Sequence, residues 1–153
     1  MYELLEKVLK PYGPSGNEEA VAQTIRQALE GHVDSIETDV MGNLIAIKKG
    51  TNPNGKKVMF SAHMDHIGFI VTGFEKEGFL RVTNVGGVSP DSNQFRHVTF
   101  GNGVQGGVVS QPLKPGENRA MKHLFIDIGA QDRAEAEKMV KLGDVAVYAP
   151  NVV

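Results

Sequence analysis

Two imidazoles and a carboxylate crowd together at His63-Met64-Asp65-His66. His63 and Asp65 are two apart, so in extended backbone both side chains point to the same side. A neutral imidazole binds a metal ion through one ring nitrogen. A carboxylate beside the other nitrogen fixes its tautomer and raises its basicity. The pair therefore suits a metal ligand and the group that orients it. Taken alone, the spacing more often marks a structural use, in which a strand-end histidine is hydrogen-bonded to a neighbouring aspartate. Residue types alone leave both open.

The elements that must position this pair follow from the flanking pattern. Val58-Met59-Phe60 is a continuous apolar run, which predicts a strand buried on both faces. It stops at the polar cluster, and a second strand begins at Gly68-Phe69-Ile70-Val71. Upstream, residues 2–10 predict a short helix with Leu4, Leu5, Val8 and Leu9 on one side, stopped before Pro11. A turn covers Pro11 to Gly16. Ser15 and Glu18 then read as a Ser-x-x-Glu capping box for a helix running to about Glu30, with Gly31 as its C′ residue. Glu18 and Glu19 stand at that helix start as cap and dipole partners, not as catalytic groups. Strands are predicted at 33–40 and 43–48 about a turn at Met41-Gly42, with Asp39 and Asn43 as turn residues. Helix, helix, strand, strand and buried strand make the opening half of an α/β sandwich.

Beyond Gly68 the pattern changes to short strands separated by Gly, Asn or Pro turns, at 68–74, 79–83, 96–100, 104–110, 123–128 and 145–149. One helix, about 132–141, interrupts them, with Asp132 as its N-cap. The expectation is a small, partly closed β-barrel with one helix. Residues 1–71 would belong to the α/β part and residues 72–150 to the barrel, which ends near Pro150. Asp127, on a strand between Ile126 and Ile128, reads as solvent-facing or turn-binding. His32, His97 and His123 lack a ligand partner nearby in sequence and read as ordinary surface or structural histidines.

Composition narrows the function classes. With 153 residues, 41% hydrophobic and 22% charged, the chain has the make-up of a soluble globular protein. A net charge of −2, with no basic cluster interleaved with aromatics, argues against nucleic acid as a partner. The absence of cysteine excludes disulfides and thiolate metal sites. No apolar run approaches the length of a membrane span. Met1 leads directly into a segment containing Glu3, Glu6 and Lys7, with no signal-peptide pattern, so a cytoplasmic location is expected.

Ser61-Ala62-His63-Met64-Asp65-His66-Ile67-Gly68-Phe69 closely resembles the Ala-His-Met-Asp-Glu-Ile-Gly-Phe segment of the tetrahedral (TET-type) dinuclear metalloaminopeptidases. That family includes glutamyl and deblocking aminopeptidases, and some members have been labelled endoglucanases. Further segments match it in order: Pro14-Ser15-Gly16-Asn17-Glu18, Asp39-Val40-Met41-Gly42-Asn43-Leu44, Gly78-Phe79-Leu80, Val85-Gly86-Gly87, Ile126-Asp127-Ile128-Gly129-Ala130 and Leu142-Gly143-Asp144. The resemblance spans nearly the whole chain. It implies an α/β sandwich peptidase domain carrying an inserted, oligomerisation-type barrel. It also implies hydrolysis of N-terminal residues from peptides at a site holding two Zn or Co ions, with His63 as a metal ligand and Asp65 as the catalytic residue that tunes it.

Two departures matter. His66 stands where the family usually has glutamate and cannot supply the same charge. Gln131-Asp132-Arg133 resembles the family's Asp-Asp-Arg metal-bridging motif but lacks the first aspartate and reads as a helix cap. By the resemblance, the remaining ligands and the general base would follow the inserted barrel, beyond Val153. A zinc ion wants three or four protein ligands. The chain alone is therefore expected to be catalytically incomplete, with peptide substrate bound only if the site is completed. The uncovered half-sheet would call for a homo-oligomer, a second polypeptide or local disorder. A different class of function, an assembly or regulatory module binding itself or a full-length homologue, stays open. So does a mononuclear site built from His63, Asp65, His66 and a distant carboxylate.

Overall fold

The chain divides between Asp65 and His66 into two units, and the computed structural model describes residues 2–52 and 54–149. Within those residues the fold is mixed α/β, with three α-helices, a two-stranded hairpin and a closed six-stranded barrel.

The first unit contains α1 (Tyr2–Leu9), α2 (Glu19–Leu29), β1 (Ser35–Thr38) and β2 (Leu44–Ile47). Val21 of α2 is fully buried, and so is Pro14 in the preceding turn. Gly13 makes this packing possible, because a Cβ there would lie 2.4 Å from Val21 Cγ2. Arg26 fastens α2 to the hairpin, donating to the Ile36 carbonyl at 3.2 Å and to Thr38 Oγ1 at 2.8 Å. Asp39 organises the hairpin turn: its Oδ1 accepts from the N–H groups of Met41 and Asn43, both at 2.9 Å. Its Oδ2 accepts from Asn43 Nδ2 at 2.8 Å, and Gly42 adopts φ +86° between them. These bonds favour the charged form and hold the Asp39 pKa below the usual carboxylate value. Gly31, at φ +76°, ends α2 in the left-handed conformation expected after a helix.

Two sequence expectations fail in this unit. Residues 56–65 form neither helix nor strand, and Val58, Met59 and Phe60 are 73%, 87% and 93% exposed, not buried. A strand covered on both faces needs ladder partners and a layer on each side. Among the described residues, β1 and β2 pair only with each other. Nor does the Ser15 capping box form. Gly16, at φ +86°, breaks the backbone before the helix, so Glu18 becomes the N-cap and makes no side-chain cap bond. Its carboxylate instead accepts the Gly16 N–H at 2.7 Å.

The second unit contains β3 (Gly68–Phe74), β4 (Leu80–Val85), β5 (His97–Phe100), β6 (Gln105–Ser110), β7 (Leu124–Asp127), α3 (Arg133–Met139) and β8 (Val145–Tyr148). The strands run antiparallel in the cyclic order β3-β4-β7-β6-β5-β8. The barrel is thus fully closed, not partly closed, because β3 pairs with β4 on one side and with β8 on the other. Alternation along the strands sends Phe69, Val71, Leu80, Val82, Val98, Phe100, Leu124 and Ile126 into the interior. α3 packs onto this core through Ala136, and Val140 follows it inside. Asp132 caps α3 by accepting the Glu135 N–H at 2.9 Å. Asp127 faces out and accepts the Gly129 N–H, the turn-binding role expected of it. The expected end of the barrel, Pro150, lies outside the described residues.

Closure leaves no room at Gly68, where a Cβ would lie 2.1 Å from the Ala146 carbonyl oxygen. Gly68→Ala should therefore destabilise the barrel by roughly 1–3 kcal/mol through overpacking, measurable by urea denaturation. At the end of β8, Tyr148 packs against the core and its Oη donates to Asn93 Oδ1 at 2.5 Å, and Asn93 is itself buried. Burial pushes the Tyr148 pKa above 10.0. The folded state then keeps its phenolic proton to higher pH than the unfolded chain. This contribution is full below the unfolded value and is lost as pH rises through the folded one. Tyr148→Phe should abolish that alkaline loss and, by stranding Asn93, cost about 1–3 kcal/mol at neutral pH in thermal denaturation.

Candidate functional site

His63 and Asp65 meet as their spacing suggested, although on irregular backbone instead of at a strand end. His63 Nδ1 lies 3.0 Å from Asp65 Oδ1 and 3.2 Å from the Asp65 carbonyl oxygen. Both neighbours are acceptors, so in the neutral ring the proton sits on Nδ1 and the lone pair on Nε2. The imidazole is 83% exposed. That tautomer leaves Nε2 as the nitrogen open to a metal ion.

The second oxygen of Asp65 has a partner that the sequence reading assigned elsewhere. Ser15 Oγ donates to Asp65 Oδ2 at 2.5 Å. Fifty positions separate the two residues, so no spacing rule could have paired them. The available sign was Gly16, which makes a helix starting at Ser15 hard to build and leaves the hydroxyl free for other work. The Ser15 hydrogen bond, then that of His63, holds the Asp65 pKa below the usual carboxylate value. Chemically, the arrangement is a carboxylate with each oxygen engaged, presenting one oriented imidazole.

The other candidates do not join this pair. Among the described residues, no three His, Asp or Glu side chains stand close enough to hold a metal ion. His63 fits the part of one ligand, and the described residues do not complete a site around it. His123 is buried in the barrel unit: Nδ1 accepts the Ala120 N–H at 3.0 Å and Nε2 lies 3.2 Å from Glu117 Oε1. It holds a turn together. His97 lines an open groove of about 540 Å³ with Arg96, Asn93, Phe95 and Tyr148, and among the described residues no carboxylate borders it. No helix among the described residues is long and apolar enough to cross a membrane.

The sequence profile described as M42 glutamyl aminopeptidase matches residues 42–153. The chain belongs to this family. A protein of Acetivibrio thermocellus, provisionally named an aminopeptidase, is 45% identical over 154 residues, covering all of this chain and 46% of that relative. Among solved structures, an aminopeptidase of the archaeon Desulfurococcus kamchatkensis matches with a TM-score of 0.83 at 35% identity, over 96% of this chain and 43% of its own. The TET1 peptidase of Pyrococcus horikoshii, which can assemble into a tetrahedron or a large octahedral shell, matches with a TM-score of 0.75 at 34% identity, over 95% of this chain and 46% of its own. The chain thus spans under half the length of these M42 relatives.

One consequence of the site's electrostatics is measurable directly. The Asp65 side-chain carboxyl carbon, followed by NMR, should titrate below 3.8. The ion-dipole network around it should persist above that range and be lost as pH falls through the folded value.

Proposed function

We propose that this chain contributes to a metal-dependent aminopeptidase that removes N-terminal residues from peptides. In this reading His63 is a metal ligand, and Asp65 orients its ring and raises its basicity. The observation that carries it is the hydrogen bonding of His63, with Nδ1 held by Asp65 and Nε2 left open on an exposed ring. Residues 1–71 would form part of an α/β peptidase domain and residues 72–150 an inserted oligomerisation barrel. The site would hold two ions, Zn or Co, and a bound ion would supply Lewis acidity toward the scissile carbonyl. The further ligands and the general base would come from another segment or a second polypeptide, because the described residues bring no third ligand to His63. The protein would work in the cytoplasm, with peptides and copies of itself as partners and without nucleic acid or membrane.

A second reading, an assembly or regulatory module, is favoured by a separate observation. Leu4, Leu5 and Leu9 of α1 and Val58 to Phe60 expose large apolar side chains within the first unit. Apolar surface of this kind marks association sites when it is contiguous. The two readings are compatible if self-association is what completes the site.

Metal content per chain, measured after equilibration with zinc or cobalt and dialysis, tests the first reading. The 153-residue chain should retain less than one ion and show no hydrolysis of aminoacyl anilides above background. Turnover that His63→Ala abolishes would overturn the expectation of incompleteness, and metal uptake that ignores His63→Ala would remove His63 as a ligand. Light scattering tests the second. A mass of several chains is expected, and a strict monomer would count against assembly.

A further inference from the structure

We propose that Ser15 is a positioning residue for the metal-ligating histidine. Its hydroxyl locks the Asp65 carboxylate, and Asp65 in turn locks the His63 ring with Nε2 available to an ion. The metal part of this inference rests on the reading of His63 as a ligand, whereas the positioning part stands on geometry alone.

A carboxylate held at one oxygen still turns about its last torsion, whose energy profile is broad. A second directional bond at the other oxygen removes that freedom. Here Asp65 Oδ1 takes His63 Nδ1 at 3.0 Å, and Oδ2 takes Ser15 Oγ at 2.5 Å. Hydroxyl-to-carboxylate bonds of this length belong to the strong, charge-assisted class. The support matters because residues 56–65 have no regular backbone structure to hold the pair in place.

Ser15, by contrast, sits in an anchored turn. Pro14 before it is buried, and its carbonyl accepts the Asn17 N–H at 2.9 Å. Gly16 after it donates its N–H to Glu18 Oε1 at 2.7 Å. Gly13 seats the same turn against Val21. The side chain of Ser15 makes no helix cap, so its hydroxyl is committed to Asp65. A rigid turn thus hands one directional bond to a segment that lacks its own framework.

The test uses the full, metal-free chain with ¹⁵N-labelled histidine, at a pH above the ordinary histidine range. Long-range ¹H–¹⁵N spectra should show His63 protonated at Nδ1. In Ser15→Ala the two ring-nitrogen shifts should move toward a tautomer mixture, and Ser15→Thr should restore the native pattern. Direct cobalt titration, which reads binding too weak to survive dialysis, should show affinity about tenfold weaker in Ser15→Ala, the low end for losing an outer partner of a ligating histidine. Methyl signals of Val21, buried in the first unit, report that this unit is folded in each variant. An unchanged His63 spectrum in folded Ser15→Ala would overturn the proposal. If His63→Ala leaves cobalt affinity untouched while Ser15→Ala still shifts the tautomer, the ligand reading falls and the positioning role remains.

Discussion

Closure of the six-stranded sheet is the constraint on which most of this structure rests. An open sheet leaves a row of unpaired N–H and C=O groups at each edge, and only a barrel removes both edges. In this chain the closing seam runs between β3 and β8, where Gly68 pairs with Val147 and Phe69 with Ala146. The two backbones approach so closely that a side chain at Gly68 would collide with the Ala146 carbonyl. Once the seam is made, inward residues from all six strands share one interior, and α3 is placed by the groups that cover it.

The first unit shows what happens without closure. Its hairpin has only one ladder, its helices bury little beyond Val21, and its apolar side chains at α1 and at Val58 to Phe60 face outward. The candidate site lies on this less constrained half. Its order comes from polar contacts instead of packing: the Asp65 carboxylate joins a turn at Ser15 to an imidazole at His63. Such a site is easily reached by further groups, which agrees with the proposal that additional ligands are brought to it from elsewhere.

Membership of the M42 family and the histidine–aspartate pair bear on each other. The pair lies inside the stretch that matches the family profile. Its geometry ties up Nδ1 and leaves Nε2 as the nitrogen open to a metal ion. The same chain spans less than half of these relatives' length.

Local chemistry was enough to read the barrel strands within a few residues, the α3 cap at Asp132, the Asp39 turn and the His63–Asp65 pair. Each depends on alternation, a cap or a two-residue spacing, all of which act between neighbours in the chain. Three features needed the folded structure. The barrel closes fully because β3 finds β8, a pairing between the two ends of the unit. Val58 to Phe60 stay exposed because burial depends on which layers are present to cover them, and an apolar run does not carry that information. Ser15 serves Asp65 and not its own helix because a left-handed Gly16 turns the backbone away and a carboxylate from a distant segment reaches the hydroxyl. Periodicity and capping rules describe contacts between residues close in sequence, whereas these three outcomes were decided by contacts between residues far apart in it.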